Sequence, residues 1–308
     1  MKVDVAVQSY KKPESLLYAL MSLKKYSAQH INNIFINDDS TDSLEELEKI
    51  FLNEKVTSYF APSKIFLRKN TIRVGYWPRY VKGYWPSGIT PLRMAYVIGK
   101  SYLKNRHVLL TRQDVRYQFA FDNAETKYLY VIHDDIIFHE DTLGLYLKEA
   151  EENQLDVVGD MGQCWRCCYN KVCTPEKISQ GCYPSNKWPV GKYNKKQGLN
   201  HLACRINEWS ALVKVETERE IVDKYRVFFG NYEDDGDIAA YWFKMIVTKG
   251  YKFKDPLPSE ELRSKYYTHG WNGHSGHSVW VDQGGGKTLY NPDEIKERML
   301  YDFNIVLI

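Results

Sequence analysis

The stretch VDVAVQSYKKPESLLYALMSLKKYSAQHINNIFINDDSTD, residues 3–42, decides the fold. Val3 to Val7 form an apolar run of strand length, interrupted only by Asp4. Pro13 follows where a helix would begin, because the first helical turn leaves unused the N–H that proline lacks. Leu16, Leu17, Leu20, Met21 and Leu23 then recur at helical spacing. Ile34, Phe35 and Ile36 make a second apolar run that ends in Asn37, Asp38, Asp39, Ser40, Thr41 and Asp42, and Leu44, Leu47, Ile50 and Phe51 repeat as a second helix. The order is β-α-β-α, which predicts a parallel sheet. Ligands of open parallel sheets bind beyond the carboxyl ends of the strands, where Asp38 and Asp39 fall. Ser40, Thr41 and Asp42 read as caps of the helix that follows.

Residues 60–90 read as irregular and aromatic-rich, with Gly-Tyr-Trp-Pro at 75–78 and again at 83–86. Two copies fall short of the ~3 repeats a solenoid needs, so Trp77 and Trp85 either pack that loop down or stack on a base or sugar. Pro91 to Leu103 reads as a helix. The run Tyr128-Leu-Tyr-Val-Ile132 ends abruptly in His133, Asp134 and Asp135. Burying adjacent carboxylates unpaired is costly, whereas a divalent cation stabilises both, so this strand end is a predicted metal site. Further on, Glu233, Asp234, Asp235 and Asp237 precede a helix that runs through Ala239, Trp242 and Ile246 and stops at Gly250. A helix N-terminus favours acids by ~0.3 to 1 kcal/mol each, but four repel one another. A second role follows, and a carboxylate here is placed to act as a general base toward a hydroxyl.

Four segments carry a resemblance. Val5-Ala-Val-Gln-Ser-Tyr10, Ile36-Asn-Asp-Asp-Ser-Thr-Asp42, Val131-Ile-His-Asp-Asp135 and Asp234-Asp-Gly-Asp-Ile238 resemble, in order and spacing, the motifs of family two nucleotide-sugar glycosyltransferases with the GT-A fold. The likeness covers about half the chain. It implies an α/β fold, a GT-A-like mostly parallel sheet flanked by helices, with a nucleotide-sugar-binding half over residues 1–141 and an acceptor-binding half over 142–308. It implies a metal-dependent glycosyltransferase that moves a sugar from a nucleotide diphosphate donor to a hydroxyl of a growing glycan or a glycolipid, with inversion, as in polysaccharide biosynthesis.

By position, the resemblance assigns Ser9, Tyr10 and Asp39 to the base and ribose of the donor and Arg93 to its diphosphate. Asp134 and Asp135 match the DxD-type site, with Asp135 on Mn²⁺ or Mg²⁺. Asp235 matches the catalytic base, preceded by Asp234. In such enzymes a loop after the last helix closes over the donor, which makes His269, in the His/Gly-rich stretch 269–287, a candidate to complete the metal shell. Glu208 and Trp209 fall where the acceptor site is shaped. The sequence departs from the family pattern in having His133 as first member of the triplet and Asp234 for the usual Glu, and in Tyr241 and Trp242 replacing an Arg-bearing helix pattern. His133 either ligates through nitrogen or positions water. A lengthening around Arg106 to Glu125 is a further departure, and all of these bear on substrate identity more than on reaction class.

Composition narrows the classes. The 308 residues are 44% hydrophobic and 26% charged, an ordinary globular balance that excludes disordered and fibrous chains. A net charge of +3 does not call for duplex DNA, so no nucleic-acid partner is expected. The N-terminal apolar run is too short for a signal peptide, and no stretch approaches the ~18 uncharged residues of a membrane span. The chain reads as cytoplasmic, at most peripheral at a membrane. Five of its six cysteines lie between Cys164 and Cys182. Thiols at C-x-x-C spacing hold one Zn²⁺ tetrahedrally, so Cys164, Cys167 and two of Cys173, Cys182 and Cys204 are predicted to bind structural zinc in a Cys-rich insertion, segment 164–204. Free buried thiols or disulfides are the alternatives. Gly284-Gly-Gly-Lys-Thr288 lacks the first glycine of a phosphate-binding loop, Val281 standing in its place, which leaves Lys287 only a phosphate-contact candidate. The rival functions are a nucleotidyltransferase acting on a sugar phosphate, weakened because Gln8 to Pro13 contains no glycine, and a non-catalytic zinc-bearing module that binds glycan or nucleic acid.

Overall fold

The computed structural model describes residues 1–40, 44–70, 80–84, 90–103, 109–162, 205–230, 238–270 and 290–306. Strand β1 (Val3–Ser9) leads into α1 (Pro13–Ser27), with Pro13 in its first turn as expected, and returns through β2 (Ile31–Asp38). Then come α2 (Glu45–Phe51), α3 (Glu54–Phe60), β3 (Ile65–Lys69), β4 (Tyr80–Val81), α4 (Pro91–Leu103) and β5 (Leu109–Leu110). A 3-10 turn (Arg112–Asp114) and α5 (Gln118–Asn123) precede β6 (Tyr128–His133), β7 (Ile136–Phe138), α6 (Thr142–Asn153) and β8 (Val157–Gly162). The remainder is β9 (Arg205–Lys214), α7 (Val215–Tyr225), α8 (Ala240–Thr248), β10 (Phe253–Lys254), α9 (Glu260–Tyr266), β11 (Tyr267–His269) and α10 (Pro292–Phe303). The irregular reading of 60–90 therefore missed β3, whose five residues mix apolar and basic types without clean alternation.

Among the described residues seven strands form one sheet in the order β10-β8-β9-β6-β1-β2-β3, in which only β9 runs against the others. The sheet is thus mostly parallel, and strands from both sides of residue 141 share it. Period-two alternation splits its core between two faces. Val3, Val5 and Val7 pack with Leu16, Leu20 and Phe51 on one face, while Ala6, Phe35 and Val131 pack with Phe121, Phe229 and Trp242 on the other. Asp4, the polar break in β1, is fully buried and accepts bonds from Asn32, the Asn33 and Glu125 N–H groups and Thr126. It fastens the end of the sheet opposite the carboxyl ends of β1, β2 and β6.

Register lines those carboxyl ends up. Ser9 lies beside Asp38, Asp38 beside Lys69, and Gln8 beside both Asn37 and His133. Because β9 is reversed, its first residue, Arg205, pairs with the last of β8, Gly162. Polar side chains from five strands, Ser9, Asp38, Lys69, His133 and Arg205, therefore gather along one edge.

Candidate functional site

Three side chains converge at that edge. His133 ends β6, Asp135 follows in the turn to β7, and His269 ends β11, which pairs antiparallel with β7 and sets His269 against Ile136. His133 Nδ1 lies 3.0 Å from His269 Nε2 and 3.5 Å from Asp135 Oδ1, and His269 Nε2 lies 3.3 Å from the same oxygen. One ligand-capable atom from each residue fits within a 4.8 Å cluster. Ligands around a single ion with bonds of about 2.1 Å are separated by about 3.0 to 3.4 Å, so the donors already stand at bridging distance. Two imidazoles and one carboxylate suit a first-row transition ion that accepts nitrogen better than Mg²⁺, which prefers oxygen throughout.

The surroundings fix each of these side chains. The other nitrogen of His133, Nε2, faces Glu208 Oε1 at 3.3 Å, and Arg205 donates to Glu208 Oε2 at 2.5 Å. A carboxylate behind a histidine sets its tautomer and leaves the opposite nitrogen free to ligate. Burial disfavours the charged imidazole, yet bonding to Asp135 and Glu208 outweighs it and lifts His133 to about 9, so an ion would displace a proton to reach Nδ1. Burial likewise opposes charge on Glu208, but Arg205 and His133 hold its carboxyl down at about 2. Asp135 resists burial in the same way, held well below the carboxylate range by Lys12 and His269. Glu208 is 3% exposed, so it underpins His133 rather than facing an acceptor.

Lys12 closes the acidic side. Its ammonium lies 2.7 Å from Asp134 Oδ1 and 2.8 Å from Asp135 Oδ2, while Asp134 Oδ2 accepts the Tyr10 N–H at 3.1 Å. Asp134 therefore braces β1 against β6, and Asp135 is the acid that reaches the histidines. The Gly270 N–H donates to the Asp135 carbonyl at 2.7 Å, pinning the exit from β11 to the same turn.

Next along the edge, the Asp39 N–H donates to the Ser9 carbonyl at 2.9 Å, and Asp39 Oδ1 accepts from Asn70 at 3.0 Å. Arg116 reaches to 3.6 Å from Asp39 Oδ2. Arg68 gathers Asn70, the Gln113 carbonyl and Asp114 beneath them. Ser9, Tyr10 and Asp39 are thus neighbours, and Asn70 and Arg116, which the sequence reading does not single out, stand beside Asp39. Asn70 follows the strand Ile65–Lys69 and obeys the same strand-end logic that singled out Asp39. Ser40 does not cap the following helix: its N–H and hydroxyl both bond to Asp38. Arg93 is exposed on α4 and stands outside the His133, Asp135 and His269 cluster.

Asp234 and Asp235 lie outside the described residues, as do Trp77, Trp85, Lys287 and Cys164, Cys167, Cys173, Cys182 and Cys204. The residues flanking the acidic segment are tied to the site. Gly230 bridges to Arg116, so closely that a Cβ there would sit 2.0 Å from the Arg116 carbonyl oxygen. The Ile238 carbonyl accepts from Arg205 at 2.8 Å.

Beyond His269 opens a cavity of about 530 Å³, lined by Trp209, Asp160, Arg263, His139 and Arg298. The Trp209 ring lies 4.5 Å from that of His269, and its indole N–H donates to the buried Asp160 at 2.7 Å, where Arg263 also bonds. A second cavity of about 250 Å³ meets Ser9, Lys11, Lys12, Asp38 and Tyr290. No helix among the described residues is long and apolar enough to cross a membrane.

No protein-family model matches the chain, and no curated protein matches it in sequence. Solved structures similar to it include the mannosyltransferase PcManGT from Pyrobaculum calidifontis in complex with GDP-Man and Mn²⁺, at 12% identity and a TM-score of 0.47 over 86% of this chain and 60% of that one. They also include S. aureus TarS 1–349, at 14% identity and a TM-score of 0.43 over 88% and 60%, and core-mannan synthase A from Aspergillus fumigatus in its Mn/GDP form, at 13% and 0.42 over 86% and 74%. The alignment thus spans about three fifths of the first two proteins.

Proposed function

We propose that this chain transfers a sugar from a nucleotide diphosphate donor to a hydroxyl acceptor, with a divalent ion held by His133, Asp135 and His269. The observation that carries the reading is the close approach of those three donors, 3.0 to 3.5 Å apart at the carboxyl edge of a mostly parallel sheet. When bound, the ion supplies positive charge against the diphosphate that leaves. Ser9, Tyr10 and Asp39 hold the nucleoside, with Asn70 and Arg116 fixing the Asp39 carboxylate. Lys12 keeps Asp134 and Asp135 ionised and in place. Asp235 takes the acceptor's hydroxyl proton while the acceptor oxygen bonds to the anomeric carbon and the diphosphate departs with the bonding pair, which inverts that carbon. A growing glycan or a glycolipid enters by the cavity at Trp209, where the indole face, held by its N–H bond to the buried Asp160, suits a sugar. The cysteine segment 164–204 holds structural zinc on the acceptor side, and zinc-free purified protein refutes that part.

The test is a panel of nucleotide sugars with Mn²⁺, assayed for nucleoside diphosphate release with and without acceptor. Release is expected to need the ion, and Asp235→Asn is expected to lower transfer by about 10² to 10⁴ while donor binding persists. Pyrophosphate release from a nucleoside triphosphate and a sugar phosphate would instead make the chain a nucleotidyltransferase, and a fully active Asp235→Asn variant refutes the base.

A further inference from the structure

Residues 55–113 hold twelve Lys and Arg and no Asp or Glu, while the rest of the chain carries thirty basic against thirty-nine acidic residues. A modest net charge of +3 therefore conceals a strongly polarised chain. Within the acid-free stretch stands α4, which has no acidic residue. Met94 is its one buried side chain among those described, with Ile98 partly buried beside it, and these two mark the inward side. On the opposite side Leu92 is 85% exposed, Tyr96 65% and Leu103 90%. With 3.6 residues per turn, positions 92, 96, 99 and 103 fall in an arc of about 60°. Gly99 continues the stripe, and a Cβ built there would meet nothing within 4 Å. Arg93 and Lys100, seven residues apart and both exposed, share one border of it.

Large apolar side chains aligned on one exposed face mark an interaction surface, and a basic border selects its partner. A soluble polyanion would use the charge and leave the leucines in water. A second copy or an apolar protein partner would use the leucines and leave the exposed Arg93 and Lys100 along their border unmatched. We infer that α4 docks this protein on an anionic lipid bilayer, with Leu92, Tyr96 and Leu103 entering the acyl boundary and Arg93 and Lys100 meeting the headgroups. The surface stands independently of the sugar-transfer reading.

The experiment is co-sedimentation of the full chain with vesicles of phosphatidylcholine alone and of phosphatidylcholine mixed equally with phosphatidylglycerol. Binding is expected to the mixed vesicles only, and to weaken in 1 M salt, where the screening length falls from about 8 Å to about 3 Å. Replacing Leu92→Ser and Leu103→Ser together is expected to weaken binding about tenfold or more, and Lys100→Glu by a similar factor. These side chains face solvent, so the unfolding temperature of both variants is expected to match the parent. Should the double variant nonetheless unfold, Lys100→Glu and the salt series decide. Absence of binding to mixed vesicles overturns the inference, as does binding indifferent to the leucines. Retention on polyphosphate that depends on Lys100 but not on the leucines, without vesicle binding, assigns the face to a soluble polyanion. A concentration-dependent dimer dissolved by the double variant, again without vesicle binding, assigns it to a second copy.

Discussion

Lys12 decides how the two strand-end acids divide their work. Its ammonium takes one oxygen of each, the Tyr10 N–H takes the second oxygen of Asp134, and Asp135 Oδ1 is left on the side of the two imidazoles. Two adjacent acids that look equivalent in sequence therefore separate into one that faces the imidazoles and one that braces β1. Asp135→Asn is expected to weaken Mn²⁺ binding about 100-fold or more, read from the free-ion signal in an EPR titration. Asp134→Asn is expected to keep Mn²⁺ binding within a few-fold while lowering stability by about 3 kcal/mol, because it removes one partner of a buried ammonium. Urea unfolding measures that loss. If the two substitutions instead lose the ion equally, both acids are ligands and the division fails.

At the scale of elements, much of the site was legible because strand ends are legible. Apolar runs that stop in polar residues located Asp39, His133 and Asp135 before any geometry was known. The same rule could not reach His269 unaided, since what places it is the pairing of β11 with β7 across more than a hundred residues, and three-residue strands carry little pattern. The resemblance puts Glu208 on the acceptor side by its position alone. Only the reversal of β9 turns Glu208 beneath His133. Helix α7 hides a further acid, Glu218, three residues after Val215 and therefore on the face that Ile221 and Val222 bury. Glu218 is fully buried, and burial raises its carboxyl to about 8 although the Arg112 charge pulls the other way. A carboxyl raised on folding holds a proton that the unfolded chain releases, so its protonation favours the folded state less and less as pH climbs from 4.5 toward about 8. Stability is expected to fall across that window. Glu218→Gln removes the titrating group and is expected to be more stable than the parent by about 3 kcal/mol at pH 9, with the gap closing toward pH 5. Thermal melts of both proteins at several pH values check this, and a gap that does not change with pH refutes it.

For the whole molecule, the consequence of building one site from the ends of many strands is that its ligands must report on global stability. His133, Asp135 and His269 come from β6, the turn after it and β11, while Ser9 and Asp39 come from the ends of β1 and β2, so no unfolded or partly folded chain keeps the constellation. A ligand that binds only the folded state stabilises it by about 2.7 kcal/mol at a hundredfold excess over its Kd. For a chain of this length that is a rise of roughly 5 °C in Tm. Nucleoside diphosphate with Mn²⁺ is expected to produce such a rise, and either alone a smaller one, because in the proposed reaction the His133, Asp135 and His269 cluster would hold an ion that supplies charge against the diphosphate. Asp39→Ala is expected to abolish the nucleotide contribution and retain the Mn²⁺ contribution, and His269→Ala to do the reverse. Ranking uridine, guanosine, cytidine and adenosine diphosphates by the size of the rise then identifies the base that the Asp39, Asn70 and Arg116 corner prefers. Equal rises for Asp39→Ala and the parent would remove the nucleoside from that corner, and no rise with any diphosphate would remove it from the edge of the sheet altogether.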